Sequence, residues 1–229
     1  MENFSPIAAS SQLLLALKVD KPYLELSEYL AKLSMAEFAT HLNSDEAKKS
    51  FWMNIYNAYF LILRKHQKIE KSVIYNTKSI IIAGKSISLD EIEHGILRRY
   101  KVKLAQGYVT NIFAPRWIKD WSLAKEDFRI HFALNCGAVS CPPIAFYSED
   151  NIDKQLDLAT ASFLEVETIV DQNSKTITIS KLFLWYKGDF GGERGAKKIT
   201  SKYLNQDFSD YKVKYSEYDF TEDLDKFVS

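Results

Sequence analysis

The chain has few cysteines, glycines and prolines, no surplus of either charge and no long apolar run, and each shortage removes a class of protein. Two cysteines in 229 residues are too few for a disulfide-scaffolded fold. Eight glycines and five prolines exclude collagen-like repeats and linker-rich chains. Thirty Lys+Arg balance thirty Asp+Glu, so no field of one sign draws in polyanions or anionic lipid, and a general nucleic-acid binder is excluded. The most apolar stretch near the start, Leu13 to Leu17, falls far short of the roughly 20 residues that span a bilayer. Glu2 stands where a secretory leader carries positive charge. The expectation is a soluble protein without a membrane partner, cytoplasmic in location. What is present is 46% hydrophobic and 26% charged side chains, ample for a packed core. No repeat or Gly/Ser/Pro-rich linker divides the chain, so one domain over 1–229 is expected.

Periodicity gives the elements. Ser44-Asp45-Glu46 caps a helix running to about Lys65, with apolar stripes on two sides, so this helix is predicted to be buried. Residues 80–88 read as a hairpin turning at Ala83-Gly84-Lys85, and Ser88 with Glu91 has the capping-box spacing for a helix ending near Tyr100. Between 101 and 127 the pattern is lost, and Phe113, Trp117 and Trp121 mark an ordered aromatic loop with one short helical turn. Alternation at Ile130, Phe132 and Leu134 predicts a strand over 129–134. A helix from Ser148 to about Glu165, a second hairpin over 168–180 and a last helix over 193–204 follow. The pattern predicts an α+β fold: N-terminal helices packed on a small, hairpin-connected mixed or antiparallel sheet, with a C-terminal helical extension.

Chemistry is sought where polar residues interrupt apolar patterns. Asn54 and Asn57 lie on the buried helix and must find hydrogen-bond partners, as structural clamps or as residues that orient a site. His94 and Arg98 share one helix face. His131 is followed by Asn135, Cys136 and Cys141 in a Gly- and Pro-containing loop. Three readings of the cysteines compete: a thiolate nucleophile with a histidine base, a disulfide or redox pair, and two ligands of a zinc site completed by His94 and His131. The zinc reading lacks tight His pairing, and C-x4-C departs from the C-x2-C redox spacing. Cys141 precedes Pro142, which confines it to extended backbone. Cys136 is therefore the preferred nucleophile, with Cys141 a secondary thiol.

Four segments, FWMNIYNA at 51–58, DEIEHGILR at 90–98, HFALNCGAVSCPP at 131–143 and LFLWYKGDF at 182–190, resemble in order the domain of unknown function 547, across about 44–192. The resemblance implies placement more than chemistry: the family pattern falls on Asn57, Glu93, His94, Arg98, His131, Cys136 and Cys141. Some plant members carry a leucine zipper or a glutaredoxin domain beside it. The Cys and His content is also similar to papain-type and transglutaminase-type enzymes, although here both histidines precede Cys136; that is fold-level analogy.

The resulting expectation is a thiol-dependent hydrolase or acyl transferase acting on a small molecule or peptide. In it Cys136 attacks a carbonyl, His94 or His131 takes the proton, and Glu93 or Asn57 orients the imidazole. Loop N–H groups hold the oxyanion, and Arg98, Trp117 and Asn135 bind substrate. No cofactor and no metal are called for. The competing class is a non-catalytic binding module, its His, Asn and Arg groups structural and its aromatic loop 113–121 docking a partner.

Overall fold

Serine caps and amphipathic spacing build the N-terminal third, and the computed structural model describes residues 5–228 of the chain; Glu2 lies outside them. Helix α1 (Pro6–Lys18) is capped by Ser5, α2 (Leu24–Lys32) follows, and α3 (Met35–His41) starts with a capping box between Ser34 and Glu37. Helix α4 (Asp45–Leu61) is capped by Ser44, whose hydroxyl accepts from the Ala47 N–H, and continues into a π-helical turn, Ile62–His66. Because α4 is apolar on two sides, it is buried from Phe51 to Leu61 and forms the axis on which α1 packs.

Strands β1 (Ile80–Ile82) and β2 (Lys85–Ile87) form the first hairpin. Its turn is tied to α2, with the Ala83 and Gly84 N–H groups donating to the Leu30 and Ala31 carbonyls. The Ser88–Glu91 capping box is present, but the helix it opens is π-helical, Glu91–Leu97. The 101–127 stretch holds one turn of 3-10 helix, Lys103–Ala105, and helix α5 (Arg116–Trp121).

The predicted strand at 129–134 is a correction: Phe128–Phe132 is a 3-10 helix. This segment runs between two apolar cores. Ile130, Ala133 and Leu134 belong to the larger core around α4, and Phe132 to a smaller one with Phe163, Phe183, Phe190 and Phe208. With both sides buried, alternation carries no information about which face looks outward.

Helix α6 (Ile152–Glu167) leads into β3 (Ile169–Asp171) and β4 (Thr176–Ile179), which pair antiparallel. After α7 (Leu182–Trp185) and α8 (Gly192–Leu204), β5 (Lys212–Tyr215) adds in parallel to β4, with Ile177 opposite Val213. The sheet is mixed, and with the separate hairpin and the helices this is an α+β fold. Among the described residues, the C-terminal extension is not helical beyond α8. Residues 219–221 run along the cysteine loop, where the Val139 and Ser140 N–H groups donate to the Thr221 and Asp219 carbonyls. That crossing brings Tyr218 against both sulfurs.

Candidate active site

The cysteine loop is aimed by two buried asparagines. The Asn57 amide donates to the Ala133 carbonyl and accepts from the Asn135 N–H, both at 3.0 Å. Asn135 in turn donates to the Pro142 carbonyl and accepts from the Gly137 N–H, both at 2.7 Å, closing the loop on itself. Gly137 has φ +70°, and a Cβ there would meet the Phe60 ring at 2.8 Å, so both backbone and space require glycine. Asn54 grips Tyr147 by the same two-bond device. The asparagines are clamps, and the Asn57 side chain is engaged with the Ala133 carbonyl and the Asn135 N–H rather than with either imidazole.

Cys136 and Cys141 are joined by a disulfide. The thiol readings therefore apply to this site only after reduction. Cys141 is buried at 2% exposure while Cys136 is partly accessible, and the Tyr218 hydroxyl lies 3.3 Å from the Cys136 sulfur and 3.1 Å from the Cys141 sulfur. The loop N–H groups of Asn135, Cys136, Gly137, Val139, Ser140 and Cys141 each donate within the protein. These six donors are engaged within the fold and are not free to hold an oxyanion.

Behind the loop lies a buried ionic chain. Asp189 Oδ2 pairs with His131 Nε2 at 2.8 Å and with Arg98 Nε at 2.6 Å, and Arg98 Nη1 reaches His94 Nδ1 at 2.7 Å. A guanidinium only donates, so His94 Nδ1 accepts and its Nε2 carries the proton. An ionised Asp189 only accepts, so His131 Nε2 carries its proton and Nδ1 keeps the lone pair. Burial opposes ionisation of Asp189, but hydrogen bonds from His131 and Arg98 outweigh it and hold the carboxyl down to about 2. Burial pushes both imidazoles down, only partly offset by Glu93 at His94 and by Asp189 at His131, so both are neutral near pH 7. Glu93 accepts from the Tyr186 hydroxyl at 2.7 Å and the Tyr56 hydroxyl at 3.2 Å. Burial opposes its charge, but His94, Tyr186, His131 and Arg98 together hold its carboxyl below the usual range.

Glu93, His94, His131, Tyr56 and Tyr186 meet at a cavity of about 220 Å³ that takes its lining from both cores and from the cysteine loop. Glu93, His94, His131, Cys136 and Cys141, expected from sequence, all line it. Besides Asn57, three expected site residues are placed otherwise. Arg98 is 2% exposed and committed to Asp189, His94 and the Tyr186 ring face, and Asn135 is closed within its loop. Trp117 stands edge-on to Trp121 with Lys85 over its ring. Within the aromatic loop 113–121, Phe113 faces solvent while Trp121 is in the core.

Asp189, Tyr186, Tyr56 and Tyr218 were not singled out from sequence. Asp189 and Tyr186 lie in the 182–190 segment that carries the family resemblance, a usable signal; Tyr218 lies in a tail without motif. Gly107 also escaped notice, although a Cβ on it would stand 2.0 Å from Asp189 Oδ1, so the missing side chain is what admits the carboxylate. Among the described residues, no group of three or more His, Cys, Asp and Glu is disposed to hold a metal ion, and no helix is long and apolar enough to cross a membrane.

Comparisons with curated proteins and with solved structures give no match. The model of one family, described as "Protein of unknown function, DUF547", matches residues 40–164; the match holds the asparagines, Glu93, the histidines and both cysteines, and stops short of Asp189. Covering more than half of the chain, it establishes that this protein belongs to the DUF547 family.

Proposed function

We propose that the cavity is the active site of a thiol-dependent hydrolase or acyl transferase, with Cys136 the nucleophile once its disulfide is reduced. The observation that carries this reading is that the more accessible sulfur shares a cavity with an imidazole whose second nitrogen is held by a buried carboxylate, as in nucleophile–base–acid triads. A dithiol reductant supplies two electrons and two protons to the Cys136–Cys141 bond and is itself oxidised. His131 Nδ1 takes the Cys136 proton, and the thiolate adds to a carbonyl carbon. The C–S bond forms as the leaving group departs with that proton. Water or another acceptor then attacks the thioester, the C–S bond breaks and Cys136 regains its proton. His94 Nε2–H and the Tyr218 hydroxyl, rather than loop N–H groups, are the donors for the oxyanion.

The test is iodoacetamide labelling of reduced protein from about pH 4 to 9, with the modified residue located by mass spectrometry. Cys136 is expected to react well below about pH 8.5, the ordinary thiol range, and His131→Ala to move its profile upward. Equal reactivity of Cys136 and Cys141 at the ordinary pH, unchanged by His131→Ala, would overturn the assignment and leave the binding-module reading.

A further inference from the structure

We infer that the cavity recognises a positively charged alkylammonium group, so that the molecule it takes is a primary or methylated amine. The first argument is a charge balance. Arg98 is neutralised by Asp189, and Lys103 by Asp90, whose two oxygens it meets at 2.7 and 2.8 Å. The two imidazoles are neutral near pH 7. One negative charge is left over, on Glu93, whose direct hydrogen-bond donors are two uncharged tyrosine hydroxyls. A carboxylate has about four acceptor positions, so room remains for a ligand N–H or a close cationic methyl. A buried carboxylate whose own hydrogen-bond donors are neutral, and whose cationic neighbour Arg98 is already paired with Asp189, gains from an incoming charge of opposite sign.

The second argument is the wall. Trp185, Tyr218 and Phe220 line the same cavity and lie against one another, with ring centroids 4.7 Å apart for Trp185 and Tyr218 and 4.8 Å for Tyr218 and Phe220. Trp185 and Phe220 keep 37% and 65% of their surface exposed, which puts them at the mouth. Aromatic faces carry negative potential and attract cations, alkylammonium ions in particular. The protein's own cations already follow this rule here: the Lys103 ammonium stands 5.6 Å from the Tyr75 centroid and the Arg98 guanidinium 4.7 Å from that of Tyr186. An anionic floor under an aromatic mouth selects a small cation over an anion of the same size.

That the amine is a substrate rests on the hydrolase or transferase reading; that it binds does not. The test is therefore made on the oxidised protein, in which Cys136 has no thiol. Tetramethylammonium, its neutral near-isostere tert-butanol and acetate are titrated in turn against isotope-labelled protein by NMR. Tetramethylammonium is expected to bind about tenfold or more tighter than tert-butanol, and acetate weakest. Glu93→Gln should bring the ammonium-to-alcohol ratio to within about twofold. If that variant fails to fold, Trp185→Leu at the rim keeps an apolar wall without the π face and should weaken tetramethylammonium severalfold while leaving tert-butanol unchanged. Equal binding of ammonium and alcohol, preference for acetate, or retention of the ratio in the foldable variant would overturn the inference. Ammonium selectivity without a reactive Cys136 would instead remove the catalytic reading and keep this one.

Discussion

Replacing Asn57 by alanine tests whether the cysteine loop is held by one side chain on α4. The residue is fully buried, and its amide makes two hydrogen bonds, to the Ala133 carbonyl and from the Asn135 N–H. Each bond contributes about 1 kcal/mol net, and a buried backbone group left without a partner costs about 1–3 kcal/mol. Asn57→Ala is thus expected to destabilise by about 3–5 kcal/mol, a large part of a domain stability of about 5–15 kcal/mol. With a urea m-value of about 2–3 kcal/mol/M, the midpoint falls by about 1–2.5 M. Asn54→Ala removes the equivalent clamp from Tyr147 and should cost about as much stability, yet leave the iodoacetamide rate of reduced Cys136 near wild type; Asn57→Ala should change that rate. Asn57→Asp adds a pH signature. Its carboxyl must be protonated to donate to the Ala133 carbonyl, so its folded pKa is raised above the unfolded value of about 3.9. The favourable contribution is full below that pH and is lost as pH rises through the folded pKa, so the variant's deficit should widen from acid to neutral pH. A loss under about 1 kcal/mol for Asn57→Ala, or equal effects of the two alanine variants on Cys136 reactivity, would refute the clamp argument.

Reduction of the disulfide opens a loop with a sequence separation of 5, and chain entropy for so short a loop gives a stability loss of about 2 kcal/mol, read as a lower urea midpoint with dithiothreitol than without. Asp189→Asn removes the counter-charge from the buried Arg98 and is expected to destabilise by about 3–5 kcal/mol. In the parent, the Asp189 pKa is depressed to about 2, so its contribution, about 2–3 kcal/mol, is full above the unfolded value of about 3.9 and is lost as pH falls towards 2; acid titrations followed by circular dichroism should lose this step in Asp189→Asn. Gly107→Ala puts a methyl group on Asp189 Oδ1 at a residue with φ +89°, and should lower stability by about 1–3 kcal/mol and shift the NMR titration of the His131 ring, while an alanine at exposed Gly84, where a Cβ meets nothing within 4 Å, leaves that titration unchanged.

Residues whose role is local were readable in the sequence. Ser44 and the Ser88–Glu91 pair announce helix starts because a hydroxyl or carboxylate satisfies N–H groups within three residues. The double apolar stripe of α4 announces burial because periodicity records which faces meet protein. An α+β fold, the two hairpins and the proximity of Cys136 to Cys141 follow from patterns of this kind. Only the tertiary structure decided the rest. The 129–134 segment lies between two cores, so its alternation had no solvent side to report, and it winds as a 3-10 helix. Asn57 and Arg98 look like site residues because both are polar and carry the family pattern, yet their partners, the Ala133 carbonyl and Asp189, are 76 and 91 positions away. Asp189 and Tyr218 join His131 and the sulfurs through chain crossings that no local propensity encodes. Charge in such a site is settled by which groups share a desolvated space, and that depends on packing across the whole chain rather than on neighbours in sequence.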